Sequence, residues 1–324
     1  MTVLAKTNWC VLVGIGLITA SCSGSGSGGG GGGDVAVVPA GPSGAAPTPT
    51  PSPTPTPTPQ PSYAAASDFT RDRVFTAIGY TLQQPRGASP LTRLDQESAA
   101  QGFDFTVATR QYKARYGSAA LTVGTQVQGS GSASFDTSVG SPQSLSRKPV
   151  DLGYDANGAG IGLSYAGYVT WQDTTDPDNR VLRYLLFGAR TLASDLPTAG
   201  TVILRGQSTL TSTFVYGGTG ATASLAIDYG ARSVSGSTAF YPASLGGTGS
   251  SIYGPPVTPQ PITLVGVVDP STGRVSGTAT YTASGVTGSF EGALYGPRGT
   301  EVALLVTITA ADGTVYYGLV GAQA

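Results

Sequence analysis

"DPSTGRVSGTATY" runs from Asp269 to Tyr281, and its reading decides the fold. Val275, Gly277, Ala279 and Tyr281 alternate with Ser276, Thr278 and Thr280, a period of two that predicts a half-buried β-strand. Asp269, Pro270 and Gly273 ahead of it are turn formers. "DYGARSVSGSTAF", Asp228 to Phe240, follows the same plan: an aspartate, a turn, an arginine, then Val-Ser-Gly. Each copy reads as a hairpin whose returning strand carries a glycine where barrels bend.

The text on both sides agrees. "EVALLVTIT", Glu301 to Thr309, places Val302, Leu304, Val306 and Ile308 on one face. "AADGTVYYGLV" then supplies an Asp312-Gly313 hairpin turn and a further strand. Upstream, "GYDANGAGIGLSY" carries another turn at Asn157-Gly158. Helix periodicity is confined to short pieces: Gln96 to Ala100 and Ala189 to Leu196 are at most short helices. The chain is therefore expected to be all-β. From Thr201 to about Gly321 there is room for eight or nine strands. That count suits a small closed antiparallel barrel, which has no exposed sheet edges. Residues 67–196 have longer loops and more scattered strands, and read as a separate β-rich handle region before a barrel at 197–324. A transmembrane barrel is the rival reading. It needs longer strands with lipid-facing apolar alternation, whereas most strands here are short with Ser and Thr outward.

The N-terminus is different text. Lys6 precedes an apolar run, Val11 to Ala20, too short to span a bilayer and suited to the core of a signal peptide. Thr19-Ala20-Ser21-Cys22 resembles a bacterial lipobox, in which Cys22 is lipidated and residues 1–21 are removed. Thr19 stands where such boxes usually carry leucine. The plainer alternative is an ordinary secretory signal cleaved nearby. The cysteine count favours lipid: the chain has 2 Cys, and Cys10 leaves with the signal peptide. Residues 22–66 then form a linker. Residues 23–33 are Ser and Gly only, a random coil, and "PTPTPSPTPTPTPQP" (Pro47 to Pro61) is a semi-rigid extended spacer. The Pro-rich part alone reaches roughly 45 Å. A glycosylated stalk is the alternative.

Composition excludes several chemistries. The chain has no histidine, which removes Ser-His-Asp and Cys-His catalysis and His-ligated zinc. Only 11% of its 324 residues are charged, the net charge is −1, and no basic block marks a nucleic-acid footprint.

Three stretches carry a family resemblance. "SDLPTAGTVILRG" (194–206), "VSGSTAF" (234–240) and "GSFEGALYGPRGTEVALLVTI" (288–308) resemble segments of transferrin-binding protein B-like surface lipoproteins. "YAGYVTW" and "YLLFGART" (165–191) resemble strands that precede the barrel in the solute-binding branch of that family. The motif residues are Pro197, Gly200, Gly288, Phe290, Gly292, Tyr295, Gly296, Pro297 and Glu301. The resemblance implies a lipid-anchored outer-membrane protein with an eight-stranded barrel and an adjoining handle, which captures a host protein or an iron-bearing solute. Ala303 and Leu304 stand where the family carries small glycines, and the strand pairing is expected to survive that change. The family's transferrin-gripping handle regions have no recognisable counterpart, so transferrin itself is not the expected ligand.

Candidate sites each have a structural alternative. "RQYKARY" (110–116) alternates Tyr112 and Tyr116 with Lys113 and Arg115; with Trp171, these are the candidate partner-binding residues, since Tyr, Trp and Arg dominate binding hot spots. The alternative is an amphipathic strand with aromatics inward. "DTTDPDN" (173–179) offers oxygens for Ca²⁺ but lacks the central glycine and closing glutamate of a calcium loop, so it reads as a hairpin turn. Glu291 and Glu301 are a carboxylate pair to weigh for glycoside hydrolysis. Glu291 is expected to point outward and Glu301 to pair with Arg298. "GLSYA" (162–166) lacks the strand-turn-helix context of a nucleophile elbow, and "GAGIG" (158–162) lacks dinucleotide-loop spacing.

These readings predict a monomeric, non-enzymatic binding protein without cofactor or metal. It is anchored to the outer membrane at the cell surface and captures an extracellular protein or iron-bearing ligand. The alternatives are a lipocalin-like binder that holds a small molecule inside the barrel, and a structural envelope lipoprotein. Large inward residues at Leu304, Val306 and Ile308 favour a filled barrel.

Overall fold

The computed structural model describes residues 62–86, 91–94, 101–124, 133–136, 142–154, 160–210, 221–240, 260–311, 313 and 315–324. Cys22, the linker up to residue 61, the Asn157-Gly158 turn, Asp312 and residues 96–100 lie outside them.

Ten strands come first: β1 (Arg73–Thr76), β2 (Ile78–Pro85), β3 (Thr92–Leu94), β4 (Gly102–Thr106), β5 (Gln111–Tyr116), β6 (Ala119–Gly124), β7 (Ala133–Asp136), β8 (Gln143–Tyr154), β9 (Gly160–Asp173) and β10 (Asn179–Gly188). A 3-10 turn, Ala193–Asp195, leads to eight more strands, with a second such turn, Pro297–Gly299, among them. These are β11 (Thr201–Ser208), β12 (Ala221–Asp228), β13 (Ser233–Phe240), β14 (Gln260–Val268), β15 (Arg274–Tyr281), β16 (Val286–Tyr295), β17 (Glu301–Thr309) and β18 (Val315–Gln323). The last eight close an antiparallel barrel in chain order. The first ten make a four-stranded sheet, β1-β4-β5-β6, and a six-stranded sheet, β3-β2-β10-β9-β8-β7.

Three apolar layers hold these parts together. One fills the barrel: Leu204, Leu225, Ile227, Val234, Leu264, Val275, Phe290, Leu294, Leu304, Val306 and Val320 form one buried cluster. The second lies between the two sheets, where Phe103, Phe105, Tyr112, Tyr116 and Val123 meet Leu145, Val169, Trp171, Leu185 and Phe187. The third joins the six-stranded sheet to the barrel's outer wall, with Tyr80, Leu82, Leu163 and Leu186 against Ala303, Leu305, Tyr317 and Leu319. The six-stranded sheet is thus covered on both faces. That explains "YLLFG" in β10, a continuous apolar run rather than an alternation. It also explains β17, where eight of nine residues are buried: the even positions fill the barrel and the odd ones face the sheet. Ala303 therefore sits in the seam and Leu304 inside the barrel, and the β16–β17 pairing runs unbroken from Gly288↔Ile308 to Tyr295↔Glu301.

The two repeated stretches are the same hairpin in backbone detail. Asp228 accepts the Ala231 N–H, and Asp269 accepts the N–H and hydroxyl of Ser271. Five residues into each copy the chain turns left-handed, at Arg232 (φ 54°) and Gly273 (φ 65°). Two residues further on, Val234 and Val275 point into the barrel. A Cβ on Gly236 would lie 2.3 Å from the Ser224 carbonyl, and one on Gly277 2.3 Å from that of Val265. Both positions need hydrogen in place of a side chain because the neighbouring strand approaches so closely. The short helix expected at Ala189 to Leu196 is the 3-10 turn at Ala193–Asp195.

Candidate functional site

Six of the family-motif residues, Pro197, Gly200, Tyr295, Gly296, Pro297 and Glu301, gather at one end of the barrel. Asp195, in the turn before β11, accepts two hydrogen bonds on Oδ2: from the Tyr63 hydroxyl and from the Arg298 backbone N–H, each at 2.9 Å. Arg298 is left-handed (φ 56°), a strained conformation for a side chain of its size. Its other backbone group is also held, because the Tyr229 hydroxyl donates to its carbonyl at 3.2 Å. Thr191 donates to the Gly296 carbonyl at 2.7 Å. A Cβ on Gly296 would meet the Tyr165 ring at 2.4 Å. Pro197 and Gly200 (φ 91°) shape the entry to β11 in the same region. Gly288 and Gly292 lie inside β16, and Phe290 between them fills the barrel.

Glu301 closes this junction, and not as expected. Its carboxylate accepts the backbone N–H groups of Ser164 (2.7 Å) and Tyr165 (2.8 Å) on β9 and makes no pair with Arg298. The reason is geometric: Glu301 faces the six-stranded sheet at 4% exposure, while Arg298 sits beyond it in the turn. Burial pushes its carboxyl up, and the β9 N–H groups partly offset this. Glu291 does point out of the barrel, but Arg93 on β3 covers it at 3.8 Å and Arg274 flanks it at 3.5 Å. Burial raises its carboxyl above the ordinary range, against the pull of both guanidinium groups. Arg93 also donates to Ser289 at 2.8 Å and to Thr307, so it fastens β3 to the barrel wall. Glu301 stands opposite Tyr295, four positions along β16 from Glu291. The two carboxylates are thus roughly 13 Å apart along the strand, too far for glycoside chemistry.

The handle presents the second candidate surface. Tyr112 (5% exposed), Tyr116 (3%) and Trp171 (1%) are core residues, which corrects their reading as partner contacts. Tyr112 stacks on Phe103 at 5.5 Å, and Trp171 lies beneath the Arg183 guanidinium at 4.4 Å. Alternation sends Lys113 and Arg115 to the outer face of the four-stranded sheet. Arg115 pairs with Asp104 at 2.8 Å. Lys113 is exposed and has no ion-pair partner among the described residues. Its row across the sheet reads Val74, Asp104, Lys113, Thr122, and Val74 is 78% exposed.

The acidic loop is turn chemistry. Asp173 accepts the Thr175 N–H and hydroxyl, and Asp176 accepts the Asp178 N–H and the Asn179 amide. Among the described residues no group of three or more His, Cys, Asp or Glu is arranged to hold a metal. "GLSYA" runs inside β9 with no helix following it. Sequence reasoning missed Tyr63, Tyr165, Thr191 and Tyr229. The quoted "SDLPTAG" contained the signal, because an aspartate fixed in a turn needs donors.

Fold and site together define a β protein of two joined parts: a filled, closed barrel, and a two-sheet handle docked on its wall. No family model and no curated protein matches the sequence. Among solved structures, the chain is similar to the isotype 1 transferrin binding protein B of serogroup B Neisseria meningitidis. Identity is 11%, the match covers 76% of this chain and 43% of that one, and the TM-score is 0.43. It is also similar to HpuA of Kingella denitrificans, solved in complex with human haemoglobin, at 14% identity, 82% and 91% coverage and a TM-score of 0.36. A third is the N-lobe of lactoferrin binding protein B of Moraxella bovis, at 11% identity, 54% and 91% coverage and a TM-score of 0.31. The chain spans less than half the length of the first of these.

Proposed function

We propose that this protein is a lipid-anchored lipoprotein of the outer membrane, displayed at the cell surface, which captures an extracellular protein, one that carries iron or its complex, without catalysing a reaction. One observation carries the reading. Three of the four segments that resemble transferrin-binding protein B-like lipoproteins, 165–191, 194–206 and 288–308, meet at one junction around Asp195, Arg298 and Glu301. The names of the similar solved structures point the same way, since they include binders of transferrin and lactoferrin and a haemoglobin complex. Cys22 is the lipid attachment point, and the leash runs from it to the folded body, which already holds Tyr63 and Ala66. The packed interior disfavours a lipocalin-like role, because Phe290, Leu304 and Val306 occupy the volume a ligand would need. The partner face is the outer side of the four-stranded sheet, where Lys113 and Arg115 stand.

Proteinase added to intact cells tests the display. The expected result is loss of the protein while periplasmic markers survive. Protection until the outer membrane is broken would overturn surface exposure. Labelling with radioactive palmitate, abolished by Cys22→Ser, tests the anchor separately.

A further inference from the structure

The two handle sheets have four edge strands among the described residues: β1 and β6 in one, β3 and β7 in the other. Edge strands invite pairing with other chains, and proteins usually blunt them by shortness or charge. Three of the four follow that rule. β1 has four residues and carries Arg73, which pairs with Asp68. β3 has three residues and carries Arg93, tied down on the barrel. β7 has four residues and includes Asp136. β6 does not follow it. Its six residues, "AALTVG", hold no charge and no proline, and its register with β5 from Tyr116↔Ala119 to Gln111↔Gly124 has no bulge.

Resting on the reading that the handle meets a protein partner, we propose that β6 is a strand-addition site. Its occupant is an extended segment of that partner in which apolar residues alternate with acidic ones. Main-chain groups of the six-residue edge supply the pairing, as in other cases of strand addition. The inward side chains of β6, Leu121 and Val123, are the rim of the core and favour apolar neighbours. The outward ones, Ala120, Thr122 and Gly124, are small and exposed. A guest strand would lie about 4.8 Å beyond β6. Lys113 is directly across from Thr122, and its four-carbon arm is long enough to reach past these small residues to the guest, so an acid at the outward position would complete the pair. A second copy of this chain fits less well. Two six-residue edges alone fall far short of the roughly 1,200 Å² that stable interfaces bury. A partner that also covers Val74 and Lys113 does not face that limit.

Synthetic peptides alternating valine with glutamate test this against the full-length chain, with two controls: a valine-lysine peptide, and the acidic peptide N-methylated at alternate amides. The acidic peptide should bind at least about tenfold more tightly than either control and slow hydrogen exchange in Ala119–Gly124. Lys113→Glu should reverse the charge preference. Thr122→Glu should weaken acidic-peptide binding about tenfold at unchanged thermal stability. Equal binding of the N-methylated peptide, no binding at all, or protection elsewhere would overturn strand addition. Equal binding of the lysine peptide would overturn the acidic pattern. Concentration-dependent self-association that protects β6 and is abolished by Thr122→Glu would assign the edge to a second copy. Each of these results leaves the protease-shaving outcome untouched, so the two readings fail separately.

Discussion

Asp195 does more than its half-exposed position suggests, because a single oxygen holds two segments that start 132 and 103 residues away. Replacing it with alanine leaves the Arg298 N–H and the Tyr63 hydroxyl without their acceptor. Water can reach both groups at least in part, so the expected cost is about 0.5–1.5 kcal/mol, read as a lower urea midpoint at unchanged slope. Two other carboxylates make opposite pH statements. Burial raises Glu291, so the folded state holds its proton more tightly than the unfolded chain. Stability therefore falls as pH rises from the unfolded value through the raised folded one. Glu291→Gln removes that decline, and its unfolding free energy should gain on wild type as pH rises through this window. Asp269 is the reverse. Hydrogen bonds from Ser271 and Thr272 hold it down at about 2. Its contribution is present above the unfolded carboxylate range and is lost as pH falls toward 2, a loss that Asp269→Asn should abolish in acid titrations of stability.

The paired hairpins, elements of one design, provide an internal control for backbone strain. Arg232 and Gly273 occupy the same left-handed position. Arginine pays a steric penalty there that glycine does not. Arg232→Gly should therefore stabilise by about 0.5–1 kcal/mol, and Gly273→Ala should destabilise by at least about 1 kcal/mol. The second change also brings a Cβ to 3.3 Å from the Thr191 carbonyl. Opposite shifts of the melting temperature would check both. These hairpins were legible in sequence because everything that forms them lies within a dozen residues: turn formers, alternation and a close-approach glycine. The junction was less legible. Glu301 was read by its neighbour Arg298, but its donors are more than 130 residues upstream. Tyr112 and Trp171 looked like contact residues from composition alone. Alternation already offered the inward reading for Tyr112, and the second sheet, which buries both, is visible only in three dimensions. β17 was half legible. Its even positions gave the barrel face, while the burial of its odd positions depends on a sheet contributed by residues 78–188.

At the scale of the whole molecule, the six-stranded sheet is what makes the described body from residue 62 onward one cooperative unit. It gives one face to the handle core and the other to the barrel wall, so neither part keeps its buried surface without it. The barrel wall shows the same dependence. Under the sheet it carries Ala303, Leu305, Tyr317 and Leu319, whereas the free wall carries Ser235, Thr263 and Thr278 with single exposed apolar residues such as Ile203, Val265 and Val267. An isolated barrel would expose the first set to water. Wild-type protein should accordingly unfold in one transition, with near-ultraviolet and far-ultraviolet signals coincident. Leu304→Ala and Leu305→Ala remove the same atoms from opposite sides of β17, and each should cost about 2–5 kcal/mol. They should differ in kind. The interior change lowers one shared midpoint. Leu305→Asp, which buries an unpaired charge in the seam, should separate the transitions, with aromatic signals from the Tyr80, Tyr184 and Tyr317 group lost before the barrel melts. A single transition in Leu305→Asp, displaced like that of Leu304→Ala, would mean that the seam does not limit cooperativity. Handle and barrel would then be bound chiefly by the Asp195 and Glu301 hydrogen bonds at their common end.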